Sequence, residues 1–338
     1  MRQYKCLNQQ VFSSQGFHIE PIRDEDQLSI MNIRNEQLYH LRQSEPLTAE
    51  KQAQYFSSVV ADLFCQEKPS QLLFSFFENG QFVGYGGLVH INWIDSNAEI
   101  SFVMKTALEQ DNFARYWSSY LQLLQQVAFE TLNFHKIFTY AFDVRPHLYD
   151  VLLANGFKEE ARLKEQCCFD GQFLDVVYHA KMNRRISYRV AQESDLKLYF
   201  DWANDPAVRE NSYNSEPISI EAHSAWFIAK IRDPKCLMLL FFDHLENPIG
   251  QVRIQSNEDQ RAVIGLSNER THRGKGYAAM MIEKATEIFL KENPKMTVLA
   301  YIKTQNQASV KAFERAGFIL TDTIAYEGHL SYLYTRKL

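Results

Sequence analysis

The sequence predicts a mixed α/β (α+β) protein of two tandem domains, each a mixed, partly antiparallel sheet flanked by helices. Three observations predict this fold class: the length of 338 residues, an internal repeat, and the same order of strand-like and helix-like segments in each half. Domains commonly hold roughly 100–200 residues, so the length favours two of them. Hydrophobic residues make up 46% of the chain, which is enough for each half to bury a core.

The repeat emerges when the chain is compared with itself. "SEPLTAEKQAQYF", which starts at Ser44, resembles "SEPISIEAHSAWF" at 215–227, with five of 13 positions identical. Later in the chain Gly156 corresponds to Gly317, and the offset between the copies drifts only from 171 to 161 residues. A period this long indicates duplicated domains. We place them at residues 1–183 and 184–338, divided within the polar stretch "KMNRRIS".

Each half presents its elements in the same order. A strand, a polar loop and amphipathic helices come first, followed by two strands joined by a turn. A third apolar strand leads into a long helix, predicted over 113–132 in the first copy and 277–291 in the second. One further strand ("KIFTYAF" or "MTVLAYIK") precedes a short helix that ends at Gly156 or Gly317. An antiparallel start and a parallel βαβ step together predict the mixed sheet.

Composition and charge argue against several classes of protein. A net charge of −5 disfavours non-specific nucleic-acid binding, which needs a basic face. The five cysteines are an odd number without CxxC spacing, which fits reduced thiols better than disulfides. There is no signal-peptide pattern and no apolar run of about 20 residues, so we expect a cytoplasmic protein that does not cross a membrane. No metal is expected, and a homo-oligomer is left open.

The segment "RTHRGKGYA" at 270–278 carries the strongest functional signal. Basic side chains and two glycines stand directly before the long helix of the second copy. N–H groups at a helix start lack internal partners, and glycines let a ligand approach them closely. This combination predicts a phosphate site. The alternative is a solvated basic turn that merely starts a helix.

Two common phosphate-binding motifs fit this segment poorly. A P-loop requires GxxxxGK[ST], which is absent. The dinucleotide pattern GxGxxA fits Gly274, Gly276 and Ala279, but that motif follows the first strand of its domain and needs an acid after the next strand. Here the loop lies in mid-domain and the next strand ends in Lys303. A dinucleotide site is therefore disfavoured.

The loop and the segment after it resemble one known family. "RGKGYA" is similar to the R-x-x-G-x-A acyl-CoA loop of the GNAT N-acetyltransferases, with Arg273, Gly276 and Ala278 on the motif. "NQASVKAFERAGF", 33 residues later, resembles that family's next strand–helix signature. The resemblance implies a GNAT-like acyl-CoA N-acyltransferase domain with acetyl-CoA as donor, its pyrophosphate on the loop backbone. The cofactor-binding residues it implies are Leu266, Ser267, Asn268, Arg273, Gly274, Lys275, Gly276, Tyr277, Ala278 and Asn306.

The first copy resembles the family more loosely and lacks the loop. At the offset of 164, residues 273–276 map onto Glu109, Gln110, Asp111 and Asn112, so two basic side chains become two acids. Acids at a helix start are stable but repel a pyrophosphate. We therefore expect a degenerate domain and one acetyl-CoA site per chain; the alternative is a divergent site that still works. Its remaining polar residues line an acceptor or vestigial pocket or form a structural network: His90, Asn92, Trp93, Asp143, Arg145 and His147.

The acceptor is expected ahead of the second copy's loop, along residues 204–227. This segment resembles the start of amino-sugar-nucleotide N-acetyltransferases, which implies an amine on a nucleotide-linked deoxy sugar for surface-glycan or nonulosonic acid synthesis. Polar groups beside an aromatic ring suit such a ligand, and arginine binds phosphate bidentately. The predicted substrate-binding residues are Arg209, Asn211, Ser212, Asn214, Trp226 and Arg253.

The catalytic residues are less clearly marked. His223 is the candidate base, because histidine titrates near neutral pH, although a helical histidine is often structural. In many members of the family that the chain resembles, a tyrosine protonates the leaving thiolate, but that position is Phe313 here. Tyr301 and Tyr277 are the nearby alternatives, with Tyr301 the candidate we choose; a packing role in a strand or helix is the other interpretation of each. The alternative is a thiolate that leaves unprotonated. Alternative functions are acetylation of a protein N-terminus or another small amine, and a non-catalytic CoA-binding scaffold.

Overall fold

A computed structural model describes residues 2–41, 43, 45–169 and 171–338. Ser44, the first residue of the repeated segment, lies outside the described residues. The chain divides into two compact units between Asn183 and Arg184, which we call the N-terminal and C-terminal units.

The N-terminal unit is built on one eight-stranded sheet. Its strands are β1 (Phe12–Ser14), β2 (Phe17–Pro21), β3 (Leu72–Glu78), β4 (Gln81–Asn92), β5 (Asn97–Met104), β6 (Lys136–Phe142), β7 (Lys158–Phe169) and β8 (Gln172–Met182). They lie in the order β1-β2-β3-β4-β5-β6-β8-β7. Its helices are α1 (Gln27–Glu36), α2 (Ala49–Tyr55), α3 (Ala61–Leu63), α4 (Glu109–Gln125) and α5 (His147–Ala154).

The C-terminal unit repeats the plan with seven strands. They are β9 (Ser187–Val190), β10 (Cys236–Phe242), β11 (Pro248–Ser256), β12 (Arg261–Asn268), β13 (Thr297–Lys303), β14 (Ile319–Tyr326) and β15 (His329–Arg336). Their order is β14-β15-β13-β12-β11-β10-β9. The helices are α6 (Leu196–Ala203), α7 (Pro206–Asn211), α8 (Ile220–Arg232), α9 (Tyr277–Glu292) and α10 (Gln307–Arg315). The predicted fold class, two mixed sheets flanked by helices, is confirmed.

Each sheet opens at its parallel pair of strands. In the N-terminal unit, residues 97–99 of β5 pair with residues 136–138 of β6. In the C-terminal unit, residues 261–263 of β12 pair with residues 297–299 of β13. Beyond these three pairs, β5 and β12 continue paired only with β4 and β11. Each sheet therefore contains a cleft whose walls are a half-paired strand and its diverging neighbour.

The two long helices differ in where they begin. The predicted helix at 277–291 matches α9, which starts at Tyr277. The helix predicted at 113–132 begins four residues earlier than predicted, because α4 starts at Glu109; it continues as a π-helical segment from Gln126 to Thr131. Without glycines, residues 109–112 join the helix rather than form a turn before it.

Two buried tyrosines of the N-terminal unit differ in their hydrogen bonds. The Tyr4 hydroxyl donates to the Leu73 carbonyl at 2.9 Å and accepts from the Leu73 N–H at 2.8 Å. The Tyr120 hydroxyl is buried and has no hydrogen-bond partner among the described residues. Its ring stacks on Phe102 at 4.0 Å.

We expect Tyr120→Phe to leave the unfolding free energy unchanged or raise it by up to about 1 kcal/mol, because it removes an unpaired buried hydroxyl. Tyr4→Phe is the matched control and should lower the unfolding free energy by about 1–3 kcal/mol, since it leaves the Leu73 groups unpaired. Amide hydrogen exchange of α4 and β3 peptides across a urea series measures both. Equal destabilisation by the two substitutions would contradict this assignment.

Candidate active site

The loop between β12 and α9 forms an open main-chain turn. Gly274 and Gly276 have φ angles of +75° and +89°, in the left-handed region that glycine adopts without steric cost. No side chain caps the start of α9 within the described ranges. The first N–H groups of this 16-residue helix are therefore available to an anion, and the helix dipole favours one there. A phosphate group fits this turn.

Arg273 faces away from the turn. Its guanidinium lies 2.7 Å from Asp205 and donates to the Asn268 carbonyl at 3.2 and 3.3 Å. Asp205 in turn caps α7 by accepting from the N–H groups of Ala207 and Val208. Arg273 thus joins the cofactor loop to the segment predicted to bind the acceptor. Within the loop, Lys275 is exposed and makes no ion pair among the described residues, so it can face a phosphate.

The half-paired end of β12 supplies the cleft wall beyond the loop. Leu266, Ser267 and Asn268 pair with β11 on one side only. Among the described residues, the side-chain oxygens Asn268 Oδ1 and Gln251 Oε1 are buried there without a partner. Across the cleft, Asn306 Oδ1 caps α10 by accepting from the Ser309 N–H at 3.1 Å. These groups suit an extended chain with amide groups, such as pantetheine.

The other face of the sheet carries aromatic rings and one arginine. The Arg253 guanidinium lies 5.3 Å from the ring centroid of Trp226, and its Nη2 is 3.9 Å from the point that a Cβ on Gly265 would occupy. Gly265 belongs to the part of β12 that has left β13. The Tyr301 ring stacks on Tyr326 with centroids 3.9 Å apart. We call this face, between α8 and the β14–β15 hairpin, the acceptor wall.

The acceptor wall includes residues that the sequence analysis missed. Tyr213 packs edge-on against Tyr326 at 4.9 Å and donates to Ser331 Oγ at 2.9 Å. Lys303 is buried at the end of β13 and donates to the carbonyls of Glu210 and Ser212 at 3.2 and 2.6 Å. Alternation along β14 predicts that Tyr326 shares a face with Ile324, but no local pattern predicts the contact with Tyr213.

Four predicted substrate contacts lie in α7 and in the turn that follows it, and they bond mainly within that segment. Arg209 donates to the carbonyls of Asn214 and Glu216 at 3.1 and 3.3 Å and to Ser212 Oγ at 2.9 Å. Asn211 bonds back to Ala207 at 2.9 Å. Arg209 is therefore engaged in holding the loop, whereas Arg253 and Trp226 lie together on the acceptor wall.

The predicted catalytic residues lie in different surroundings. His223 is buried against Phe200 and Phe227, its Nε2 has no partner among the described residues, and burial lowers its pKa. Tyr301 lies on the acceptor wall, stacked on Tyr326. Phe313 is buried in the core against Phe318. Of the two candidates, only Tyr301 is part of the acceptor wall.

The segment of the N-terminal unit that corresponds to the loop before α9 has a different structure. Residues 109–112 form the first turn of α4, so no open glycine turn precedes the helix. Glu109, which stands at the Arg273 position, lies 3.3 Å from the guanidinium of Arg145. At the offset of 161, Arg145 corresponds to Asn306. An internal ion pair thus occupies the place where the C-terminal unit has an open glycine turn and a capping asparagine.

The polar residues singled out in the first copy serve different roles. His90 and Arg145 line a cavity between β5 and β6. Asn92 bonds to Asp95, and the Trp93 indole donates to the Pro69 carbonyl. The others are structural: Asp143 accepts from Tyr149 at 2.8 Å, and His147 packs on Phe113.

Comparison with known proteins finds the same domain type in both halves. Residues 19–177 match a family described as acetyltransferase (GNAT) domain, and residues 185–319 match a second family with the same description. The uncharacterized N-acetyltransferase YfmK of Bacillus subtilis is 27% identical over 140 residues, which span 40% of this chain and 86% of that protein.

Solved structures resemble about half of the chain. A Vibrio cholerae spermidine N-acetyltransferase, in complex with CoA and spermine, has a TM-score of 0.44 and 19% identity over 50% of this chain and 96% of that one. The aminoglycoside acetyltransferase AAC(6')-Ib, in complex with coenzyme A, has a TM-score of 0.39 and 14% identity over 45% and 95%.

Within the described ranges, no helix combines the length and apolar character needed to cross a membrane. The described side chains also contain no group of three or more His, Cys, Asp or Glu placed to hold a metal ion.

The pH dependence of the stability of the N-terminal unit should reveal His40, whose Nε2 lies 2.9 Å from Gln37 Oε1 and 3.3 Å from a guanidinium nitrogen of Arg145. Burial first, and then the charge of Arg145, lowers the pKa of His40 to about 3. An unfolded histidine titrates near 6.5, so between pH 6.5 and 3 the unfolded chain binds the extra proton. Stability from neutral His40 is therefore complete above pH 6.5 and is lost as the pH falls towards 3.

We expect His40→Asn to flatten this dependence between pH 7.5 and 5. Hydrogen exchange of α4 peptides at the two pH values, corrected for the intrinsic exchange rates, measures the effect. The same loss of protection in wild type and variant would contradict the assignment.

Proposed function

The chain belongs to the GNAT acetyltransferases, with one domain of this type in each half, and we propose that the C-terminal unit transfers acetyl groups to the amine of a negatively charged acceptor molecule. The proposed acceptor is an amino deoxysugar linked to a nucleotide, of the kind used in surface-glycan or nonulosonic acid synthesis. The observation that carries the proposal is Arg253 on the acceptor wall, held between Trp226 and the free edge at Gly265.

The C-terminal unit has residues that fit acetyl-CoA. The main-chain N–H groups of residues 274–278, with Lys275, would hold the pyrophosphate. Leu266, Ser267, Asn268 and Asn306 would line the pantetheine arm, because they form the two walls of the cleft. When bound, acetyl-CoA supplies an acetyl group that passes from its sulfur to the acceptor nitrogen, while that nitrogen loses one proton.

The acceptor wall favours an anion with a flat ring over a polycation. Arg253 makes no ion pair within the described part of the chain, so its charge is available to a ligand. Guanidinium groups bind phosphates bidentately, and aromatic rings stack on bases and pack on sugar rings. The ring cluster of Tyr213, Tyr301 and Tyr326 offers such surfaces. A polyamine would instead require carboxylates close to its ammonium groups.

Tyr301 and His223 are the residues proposed for proton transfer. Tyr301 is the proposed acid for the leaving sulfur, since it lies on β13 where that strand leaves β12. His223 remains the proposed base, and its burial behind Trp226 makes a positioning role the competing assignment. The pH profile of kcat separates the two roles, because loss of a base removes the acidic limb whereas loss of a positioning group does not.

The test of the proposed function is CoA thiol release with a panel of acceptors. The panel contains UDP- and dTDP-linked 3-amino and 4-amino deoxysugars, with peptides, spermidine and aminoglycosides as comparisons. Turnover confined to one amino-sugar nucleotide is the expected result. Turnover with peptides or polyamines would overturn the proposed acceptor, and acetyl-CoA binding without any turnover would favour the scaffold alternative.

We expect Gly276→Val to abolish measurable acetyl-CoA binding, because a β-branched side chain cannot keep the φ of +89° that opens the turn. Gly171→Val is the matched control, at a φ of +76° in a hairpin of the N-terminal unit with open space around it. Calorimetric titration with acetyl-CoA measures both variants. Equal affinities would show that this turn is not the phosphate site.

We expect Arg253→Met to raise the acceptor KM by at least about tenfold while the acetyl-CoA KM stays unchanged, because a charge-assisted contact is lost on one side of the cleft only. Arg261→Met, at the exposed start of β12, is the control. Steady-state kinetics with both substrates varied gives the two constants. A change in the acetyl-CoA KM instead would place Arg253 in the cofactor site.

A further inference from the structure

The N-terminal unit contains a cavity of about 200 Å³ between β5 and β6. Its walls are the diverging ends of the two strands, residues 100–103 and 139–142, with parts of α1, α4 and α5. The cleft survives in this unit although the phosphate turn has gone. Its mouth on the α4 side is occupied by the Glu109–Arg145 ion pair, so the whole of a CoA molecule is a poor fit.

The cavity has a positive end. Arg34 and Arg145 both line it. Arg145 forms an ion pair with Glu109. The Arg34 guanidinium instead donates to two neutral groups among the described residues, the Tyr85 hydroxyl at 2.7 Å and Gln43 Oε1 at 2.8 Å. His40, between them, is neutral at pH 7 because burial and Arg145 lower its pKa. One unit of positive charge therefore lacks a carboxylate partner here.

The acid of the cavity wall lies at the opposite end. Glu99 stands where the pairing of β5 with β6 stops, and its carboxylate is 2.8 Å from His90 Nδ1. Arg34 reaches Tyr85, which is paired with Val103. Residues 99 and 103 are about 13 Å apart at the usual strand rise of about 3.3 Å per residue. The Glu99 carboxylate is thus too distant to neutralise Arg34 closely.

The middle of the cavity is apolar apart from one hydroxyl. Phe102, Trp117, Phe142 and Leu148 contribute apolar walls. Thr139 is 3% exposed, and its hydroxyl has no hydrogen-bond partner among the described residues. Buried hydroxyls are normally bonded, so an unpaired one on a cavity wall indicates a missing polar partner.

We propose that this cavity binds a small monocarboxylate with an apolar or aromatic body. The carboxylate would lie at the Arg34 end and the body between Phe102, Trp117 and Phe142, with a polar atom of the ligand bonded to Thr139. A single uncompensated guanidinium matches one negative charge better than the two of a phosphate monoester. This site is separate from the acetyl-transfer site proposed for the C-terminal unit.

The test uses the full chain with benzoate and phenylacetate as probes and with benzamide and phenylacetamide as neutral partners of the same shape. Calorimetric titration gives the affinity, and the indole N–H resonance of Trp117, assigned with Trp117→Phe, gives the location. We expect both carboxylates to saturate and to shift that resonance. The amides should bind at least about tenfold more weakly, as loss of a charged hydrogen bond implies.

Three variants decide the assignment. Arg34→Met should weaken benzoate binding by at least about tenfold. Thr139→Val, a change of similar volume, should weaken binding of 4-hydroxybenzoate by about threefold, because this probe has a hydroxyl as well as its carboxylate. Arg115→Met, on the exposed side of α4, is the matched control and should leave benzoate binding unchanged. Equal binding of acids and amides would overturn the proposal. So would unchanged affinity in both cavity variants, or no saturable binding of either carboxylate at millimolar concentration.

Discussion

The early end of the parallel pairing in each sheet is the constraint on which the rest of the structure depends. After three residue pairs, β12 leaves β13 and β5 leaves β6. A continuous sheet would have no opening for a ligand, because its main-chain groups would bond to each other. The divergence exposes one edge of β12 and leaves the end of that strand to lead into the turn before α9. Gly265 lies beside Arg253 because the two residues are register partners in β12 and β11. The opening in the sheet follows from that one departure.

Few residues distinguish the cleft of the C-terminal unit from that of the N-terminal unit. In the C-terminal unit, two glycines with positive φ hold the turn open and Asn306 caps the next helix. In the N-terminal unit, Glu109 starts the helix directly, and its carboxylate pairs with Arg145 at the position of Asn306. These two substitutions compensate each other, since each charge would be costly to bury alone. The fold is kept while the open glycine turn is replaced by an ion pair.

Patterns within short stretches of sequence predicted the duplicated mixed fold and the turn before α9, because periodicity and glycine placement are local properties. They did not predict that Arg273 pairs with Asp205, which lies 68 residues earlier in the chain. Nor did they predict the packing of Tyr213 on Tyr326, which joins a loop to a distant hairpin. His223 shows the same limit, since a polar residue on a helix gives no sign that Phe200 and Phe227 enclose it. Long-range contacts decide which polar side chains face a ligand.

We infer that one of the two clefts binds acetyl-CoA and that an internal ion pair and a closed turn prevent binding in the other. Calorimetric titration of the full chain with acetyl-CoA tests this inference, because it reports the number of sites as well as the affinity. We expect one site per chain, and a chain with Glu109→Ala should still show one, since the open turn remains missing. Two sites of similar affinity in the unaltered chain would contradict it.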